Sequence, residues 1–220
     1  MDKRKKYFLI IDTETAGTIE KPIIFDIGGA IIDKKGNLYS TFSFIVEDVF
    51  YEQPSLMKNC YYVNKLPQYK KDITCGKRIV RRYYEIKKYI ASLCADWNVQ
   101  AVIAHNAAFD YRATVATQKL TTSGKYKTFL PYDLPVWDTL KMARDTICKQ
   151  KSYLRYCAEN DFLCKNGTPR ATAEILYKYI TGNMNFSESH TALEDVLIEK
   201  EIFAHCIRQH KRMRKNLWSN

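Results

Sequence analysis

The chain has 220 residues, 46% of them hydrophobic, enough for a sizeable core in one domain spanning residues 1–220. Its formal net charge of +11 favours polyanionic partners, nucleic acid first and acidic membrane surface second. No apolar run is long enough to cross a bilayer. Seven scattered cysteines without a C-x-x-C pair argue against a disulfide framework or a structural zinc site, and for a cytoplasmic, reducing compartment.

The basic opening, Met1 to Lys6, leads into Tyr7-Phe8-Leu9-Ile10-Ile11. That run is too short for a signal peptide and ends in Asp12. It reads as a strand buried on both faces. Asp12 and Glu14 close it, two residues apart and so on one side of the strand. Taken alone, the pair suits a turn cap with a solvated glutamate as well as a site for a hard cation. Ile23 to Asp33 reads as a second strand, with Gly28-Gly29 marking a bulge or close packing. The turn Lys34-Lys35-Gly36-Asn37 precedes a third strand, Leu38 to Glu47, which completes an antiparallel meander. Val49 to Thr74 mixes tyrosines, prolines and lysines and is expected to hold short helices and loops.

A helical pattern runs from Lys77 through Ile79, Val80, Tyr83, Ile86, Ile90 and Leu93. Its arginines and lysines, Arg78 to Lys88, form a basic face that suits either solvent or a phosphate backbone. Ala101 to Ala104 is a fourth strand running into His105-Asn106-Ala107-Ala108-Phe109-Asp110 and a helix to about Leu120. Lys119 to Pro135 reads as a polar loop. Val136 to Leu140 is a short fifth strand opening a helix that reaches about Lys149. Further helices fit Ser152 to Asn160, Ala171 to Thr181 and Thr191 to about Arg208, before a basic tail to Lys215. The pattern predicts an α/β fold, a mixed five-stranded sheet with helices on both faces and the first strand central beside the fourth.

That arrangement brings Asp12 and Glu14 near Asp110. Thr191-Ala192-Leu193-Glu194 matches a capping box, which puts His190 and Asp195 on one volume at the start of the last helix. Leu193, Val196, Leu197, Phe203, Ala204 and Ile207 are its expected docking face. Singly, Asp110 also suits a helix-capping acid and His190 a satisfied surface histidine.

The set Asp12-Thr-Glu14, His105 to Asp110 and His190-Thr-Ala-Leu-Glu-Asp195 resembles the DEDDh, or DnaQ-like, 3′→5′ exonucleases, in the right order over most of the chain. Phe25-Asp-Ile-Gly-Gly-Ala and Trp137-Asp-Thr-Leu add to the resemblance. Ala16, Thr191 and the stretch from Val49 to Thr74 depart from the family pattern. The resemblance implies an RNase H-like sheet of order 3-2-1-4-5 with strand 2 antiparallel. It implies two divalent cations, Mg²⁺ or Mn²⁺, held by Asp12, Glu14, Asp110 and Asp195, and His190 as general base. It also implies that Thr15 and Asn106 line a terminal-nucleotide pocket with Phe109 nearby, and that Asp138 is structural. Four carboxylates suit two dications that stabilise the attacking and leaving oxygens of a phosphodiester. Histidine titrates near working pH and suits deprotonation of water.

The expected substrate is nucleic acid with a free 3′ end, single-stranded DNA favoured. An exoribonuclease and a catalytically idle nucleic-acid-binding module are the alternatives. The basic segments Arg78 to Lys88 and Arg208 to Lys215 are the candidates for backbone contacts.

Overall fold

The computed structural model describes residues 2, 4–124 and 128–218. β1 (Tyr7–Gly17) is shut from solvent on both faces from Tyr7 to Ile11. β2 (Pro22–Asp33) and β3 (Leu38–Val46) follow as an antiparallel meander. The Asp33 carboxylate closes the hairpin between them by accepting from the N–H groups of Lys35 and Asn37. Next come α1 (Glu47–Phe50), α2 (Pro54–Lys58), a 3₁₀ turn (Val63–Lys65) and α3 (Leu66–Thr74). β4 (Ile79–Arg81), α4 (Tyr83–Asp96), β5 (Val99–Ala104) and α5 (Ala107–Thr121) follow. β6 (Val136–Asp138) opens α6 (Thr139–Asp145), and α7 (Lys151–Glu159), α8 (Ala173–Thr181) and α9 (Ala192–Arg208) complete the order. The loop expected after Lys119 begins beyond Thr121, and residues 125–127 of it lie outside the described residues.

The sheet has six strands in the order β4-β3-β2-β1-β5-β6. The five expected strands hold their expected order, with β2 antiparallel to its neighbours and β5 and β6 parallel to β1. The sixth is β4, which pairs in parallel with β3 at the sheet's edge. It takes Ile79 and Val80 out of the helix expected from Lys77. That helix starts at Tyr83 because its first N–H groups find carboxylates there. Glu85 accepts from Arg82 and Asp48 from Tyr83.

Residues of β1 alternate between two cores. Phe8 and Ile10, with Ala30, Ile32 and Ile103, pack on Met142 of α6 and Val196, Ile202 and Phe203 of α9. Leu9 and Ile11, with Ile31 and Val102, pack on Tyr83, Ile86 and Ile90 of α4 and Ala113 of α5. Asp12 and Glu14 extend the Phe8–Ile10 series, so they face the side on which α9 docks. Among the described residues no helix is long and apolar enough to cross a membrane.

Candidate metal centre

β1 has an antiparallel neighbour on one side and a parallel one on the other. β5 stops pairing with β1 at Ile10, and beyond it the chains part and leave a crevice where ligands bind. Asp12, Glu14 and Asp195 meet there, each offering an oxygen, all within 4.8 Å of one another. Asp110, in the first turn of α5, is 4% exposed, and its Oδ1 accepts from the Thr13 hydroxyl at 2.8 Å. An all-oxygen donor set of this kind fits a hard divalent cation.

The position of Asp195 depends on how α9 starts. Gly28 lies opposite Asp12 in the β1–β2 ladder. A Cβ on Gly28 would stand 2.3 Å from the Leu193 backbone nitrogen, so only glycine admits the helix this close. The expected capping box does not form. The Thr191 side chain makes no cap bond and instead donates to Glu194 at 2.7 Å. The Ala192 N–H is taken by the Asp26 carboxylate, which reaches from β2 at 3.1 Å. Asp26 also accepts from Tyr69 at 2.9 Å and from Arg78 at 3.1 Å. Arg78 binds Asp72 and Glu194 as well. A buried carboxylate thus caps the helix, and a buried guanidinium offsets its charge.

Burial raises the proton affinity of Asp12, Glu14, Asp110, Asp195 and Glu199. Asp12 lies well above the ordinary range, from burial and then the charges of Glu199 and Asp110. Burial, with Asp195 and Asp26, lifts Glu14 to about 9. Burial, with Glu188 and Glu194, lifts Asp195 to about 8. Asp110 rises to about 7 through burial, opposed by its bond from Thr13. Glu199, one turn beyond Asp195 and 3% exposed, also lies well above its usual value, through burial and the neighbouring acids.

His190 precedes α9 with φ +49°. Its ring stacks on Tyr62, centroids 4.6 Å apart and planes 14° apart. Its Nδ1 lies 4.0 Å from a Glu188 oxygen. The Lys65 ammonium donates to the Ser189 carbonyl beside it. Burial and then Lys65 lower the histidine's pKa. Two cavities flank the carboxylates. Thr15 and Phe109, with Glu14, Tyr61 and Tyr62, line one of about 300 Å³. Asn106 faces the other, of about 800 Å³, together with Asp12, Glu188 and Glu199. Asn106 takes a left-handed backbone, and its N–H is tied to Asp138 at 3.0 Å. Asp138 also caps α6 through the Leu140 N–H, which is a structural role. His105 donates from Nε2 to the Ala171 carbonyl at 2.8 Å, and its Nδ1 meets the Thr139 hydroxyl at 2.9 Å, so both ring nitrogens are engaged.

Four residues near the carboxylates escape a reading by motif: Tyr62, Lys65, Glu188 and Glu199. Tyr62 and Lys65 come from the stretch whose mixed composition shows no period. Glu199 had a signal, because it shares a helical face with Ala192, Asp195, Val196 and Ile202. Leu197, expected on that face, is exposed instead. The basic segments also differ from expectation. Arg78 is 2% exposed and inside the ion-pair cluster, so it is closed to a polymer. Arg82 pairs with Asp48 and Glu52. In the tail, Arg214 pairs with Asp145 at 2.9 Å, and Lys215 lies over the Trp137 ring.

Comparison with protein-family models and with curated protein sequences finds no match. Solved structures do match. Cell-death related nuclease 4 aligns over 96% of this chain and 67% of its own, with a TM-score of 0.60 and 15% identity. Escherichia coli exonuclease I in complex with a dA16 oligonucleotide aligns over 94% of this chain, with a TM-score of 0.55 and 16% identity. Exonuclease I of Methylocaldum szegediense gives the same TM-score, coverage and identity. The chain spans 42% of the Escherichia coli exonuclease I chain in that complex. The sheet and its flanking helices have the RNase H-like fold that the motifs led one to expect.

Proposed function

We propose that the chain is a metal-dependent 3′→5′ exonuclease that hydrolyses single-stranded DNA from its 3′ end and releases 5′-mononucleotides. The observation that carries this reading is the meeting of Asp12, Glu14 and Asp195 within 4.8 Å, with the charge of Asp110 bearing on Asp12. Buried acids at this density need cationic compensation, and Mg²⁺ or Mn²⁺ matches their donor atoms. Two such ions, when bound, would offset the charge that develops on the phosphodiester oxygens.

The chain's own groups divide the remaining work. Asp12, Glu14 and Asp195 hold cations, and Thr13 orients Asp110 toward the same volume. His190 accepts the proton of the attacking water at Nε2, because Nδ1 faces Glu188. Its lowered pKa keeps it neutral and ready to accept near pH 7. Thr15, Phe109 and Tyr62 form an apolar wall on which the 3′-terminal base stacks. Asn106 contacts the strand from the opposite cavity. The net charge of +11 suits a polyanion. The fold shared with exonuclease I, whose complex holds a DNA oligonucleotide, supports DNA as substrate.

The test uses 5′-end-labelled single strands of DNA and RNA of one sequence, incubated with the full chain and Mg²⁺ or Mn²⁺, with and without chelator. Stepwise shortening of DNA from the 3′ end, abolished by chelator, is expected. Faster shortening of RNA transfers the reading to an exoribonuclease. Internal cuts, or no shortening of either strand, overturn it.

A further inference from the structure

Glu199 is a buried carboxylate that the motifs leave without a role. It stands one helical turn beyond Asp195 on α9, and residues four apart share a helix face. It is 3% exposed, and its Oε2 has no hydrogen-bond partner among the described residues. Its α9 neighbours Val196, Ile202 and Phe203 belong to the apolar core. An unpaired carboxylate oxygen in such surroundings is strongly disfavoured. The side chain borders the same 800 Å³ cavity as Asp12, whereas Glu14 borders the smaller cavity. Asp12 therefore faces the larger cavity together with Glu199, while it also meets Glu14 and Asp195 within 4.8 Å.

We propose that Glu199 is a fifth carboxylate of the metal centre, serving a cation on the cavity side of Asp12, apart from the one held by Asp12, Glu14 and Asp195. This assignment rests on the metal-dependent reading above. Glutamate offers the hard oxygen donor that Mg²⁺ and Mn²⁺ require. The cation in turn would satisfy the buried oxygen that no described protein group reaches.

The experiment is Mn²⁺ binding to the full chain, followed by the paramagnetic signal of the free ion, for wild type, Glu199→Gln and Asp195→Asn. Glutamine keeps the shape and removes the charge. Thermal unfolding in chelator checks that each variant is folded, and Glu199→Asp serves as a second, charge-retaining variant. Two Mn²⁺ per wild-type chain are expected. Glu199→Gln should weaken one of them about tenfold or more and leave the other within about twofold. The weakened site should be the one that Asp195→Asn spares, and Glu199→Asp should retain part of the affinity. One Mn²⁺ per wild-type chain overturns the proposal. So does a Glu199→Gln isotherm superimposed on wild type, or a loss at the same site that Asp195→Asn removes. No Mn²⁺ bound to wild type overturns the metal-dependent reading as well, so the two failures are told apart.

Discussion

The Arg78 guanidinium donates to the Asp26 carboxylate at 3.1 Å, and neither side chain meets solvent. Asp26 in turn caps α9, the helix that carries Asp195. Removing the cation leaves a buried carboxylate uncompensated, which costs about 3–5 kcal/mol. Arg78→Met should therefore lower unfolding stability by about that amount in urea titration. Mn²⁺ affinity should fall with it, because the start of α9 loses its anchor. A loss under about 1 kcal/mol would show that the pair does not hold the helix.

Gly28 offers a steric test of the same junction. Its Cβ would press on backbone atoms of Ala192 and Leu193, which cannot swing aside as a side chain does. Gly28→Ala should destabilise by about 1–3 kcal/mol and move Asp195 away from Asp12. Weaker Mn²⁺ binding in a variant that still unfolds cooperatively is the expected result. Unchanged binding would mean that α9 tolerates a shift.

Acidity of the carboxylate cluster makes stability depend on pH in a defined direction. Asp110, Asp195 and Glu14 bind protons up to about 7, 8 and 9 in the folded chain. In the unfolded chain they release them near the ordinary value of about 4. The folded state therefore holds more protons between these limits, and stability falls as pH rises from about 4, the fall fading between 7 and 9. In chelator, the midpoint of thermal unfolding should drop from pH 6 to pH 9. Asp195→Asn should flatten that slope, and excess Mn²⁺ at pH 8 should raise the wild-type midpoint. A midpoint that rises with pH in chelator contradicts the assignment.

The His190–Tyr62 stack predicts a split between two substitutions. His190→Ala removes the proton acceptor and should lower kcat by about 10²–10⁴. Tyr62→Phe keeps the stacked ring and should leave kcat within a few-fold. Tyr62→Ala removes the support and should lower kcat while broadening the acid limb of the pH profile. Equal activity in Tyr62→Ala and wild type would remove the positioning role.

Much of this was written in local pattern. Strands β1, β2, β3, β5 and β6 could be read because apolar runs and turn residues mark them. Asp110 and Asp195 fall in the first turns of their helices, and Asp12 and Glu14 follow the apolar run, although β1 continues past them to Gly17. β4 could not, because Ile79, Val80, Tyr83 and Ile86 also fit a helical period, and only pairing with β3 decides between the two. The cap of α9 could not either. Thr191 and Glu194 have the right local chemistry, but a carboxylate from β2 outcompetes them, and nothing in residues 191–194 announces Asp26. Tyr62 and Lys65 reach His190 from a segment without periodicity, where contact depends on the tertiary path alone.

The joining of Asp12 and Glu14 to Asp195 also bears on the order of synthesis. The strand that supplies the first two acids leaves the ribosome early, and the helix that supplies the last follows after the whole sheet. Until α9 docks over Gly28, neither Asp195 nor His190 stands beside the first two acids. On the proposed function, a nascent or prematurely ended chain lacking α9 would lack both Asp195 and His190 beside Asp12 and Glu14. The proposed activity would then depend on completion of the fold itself.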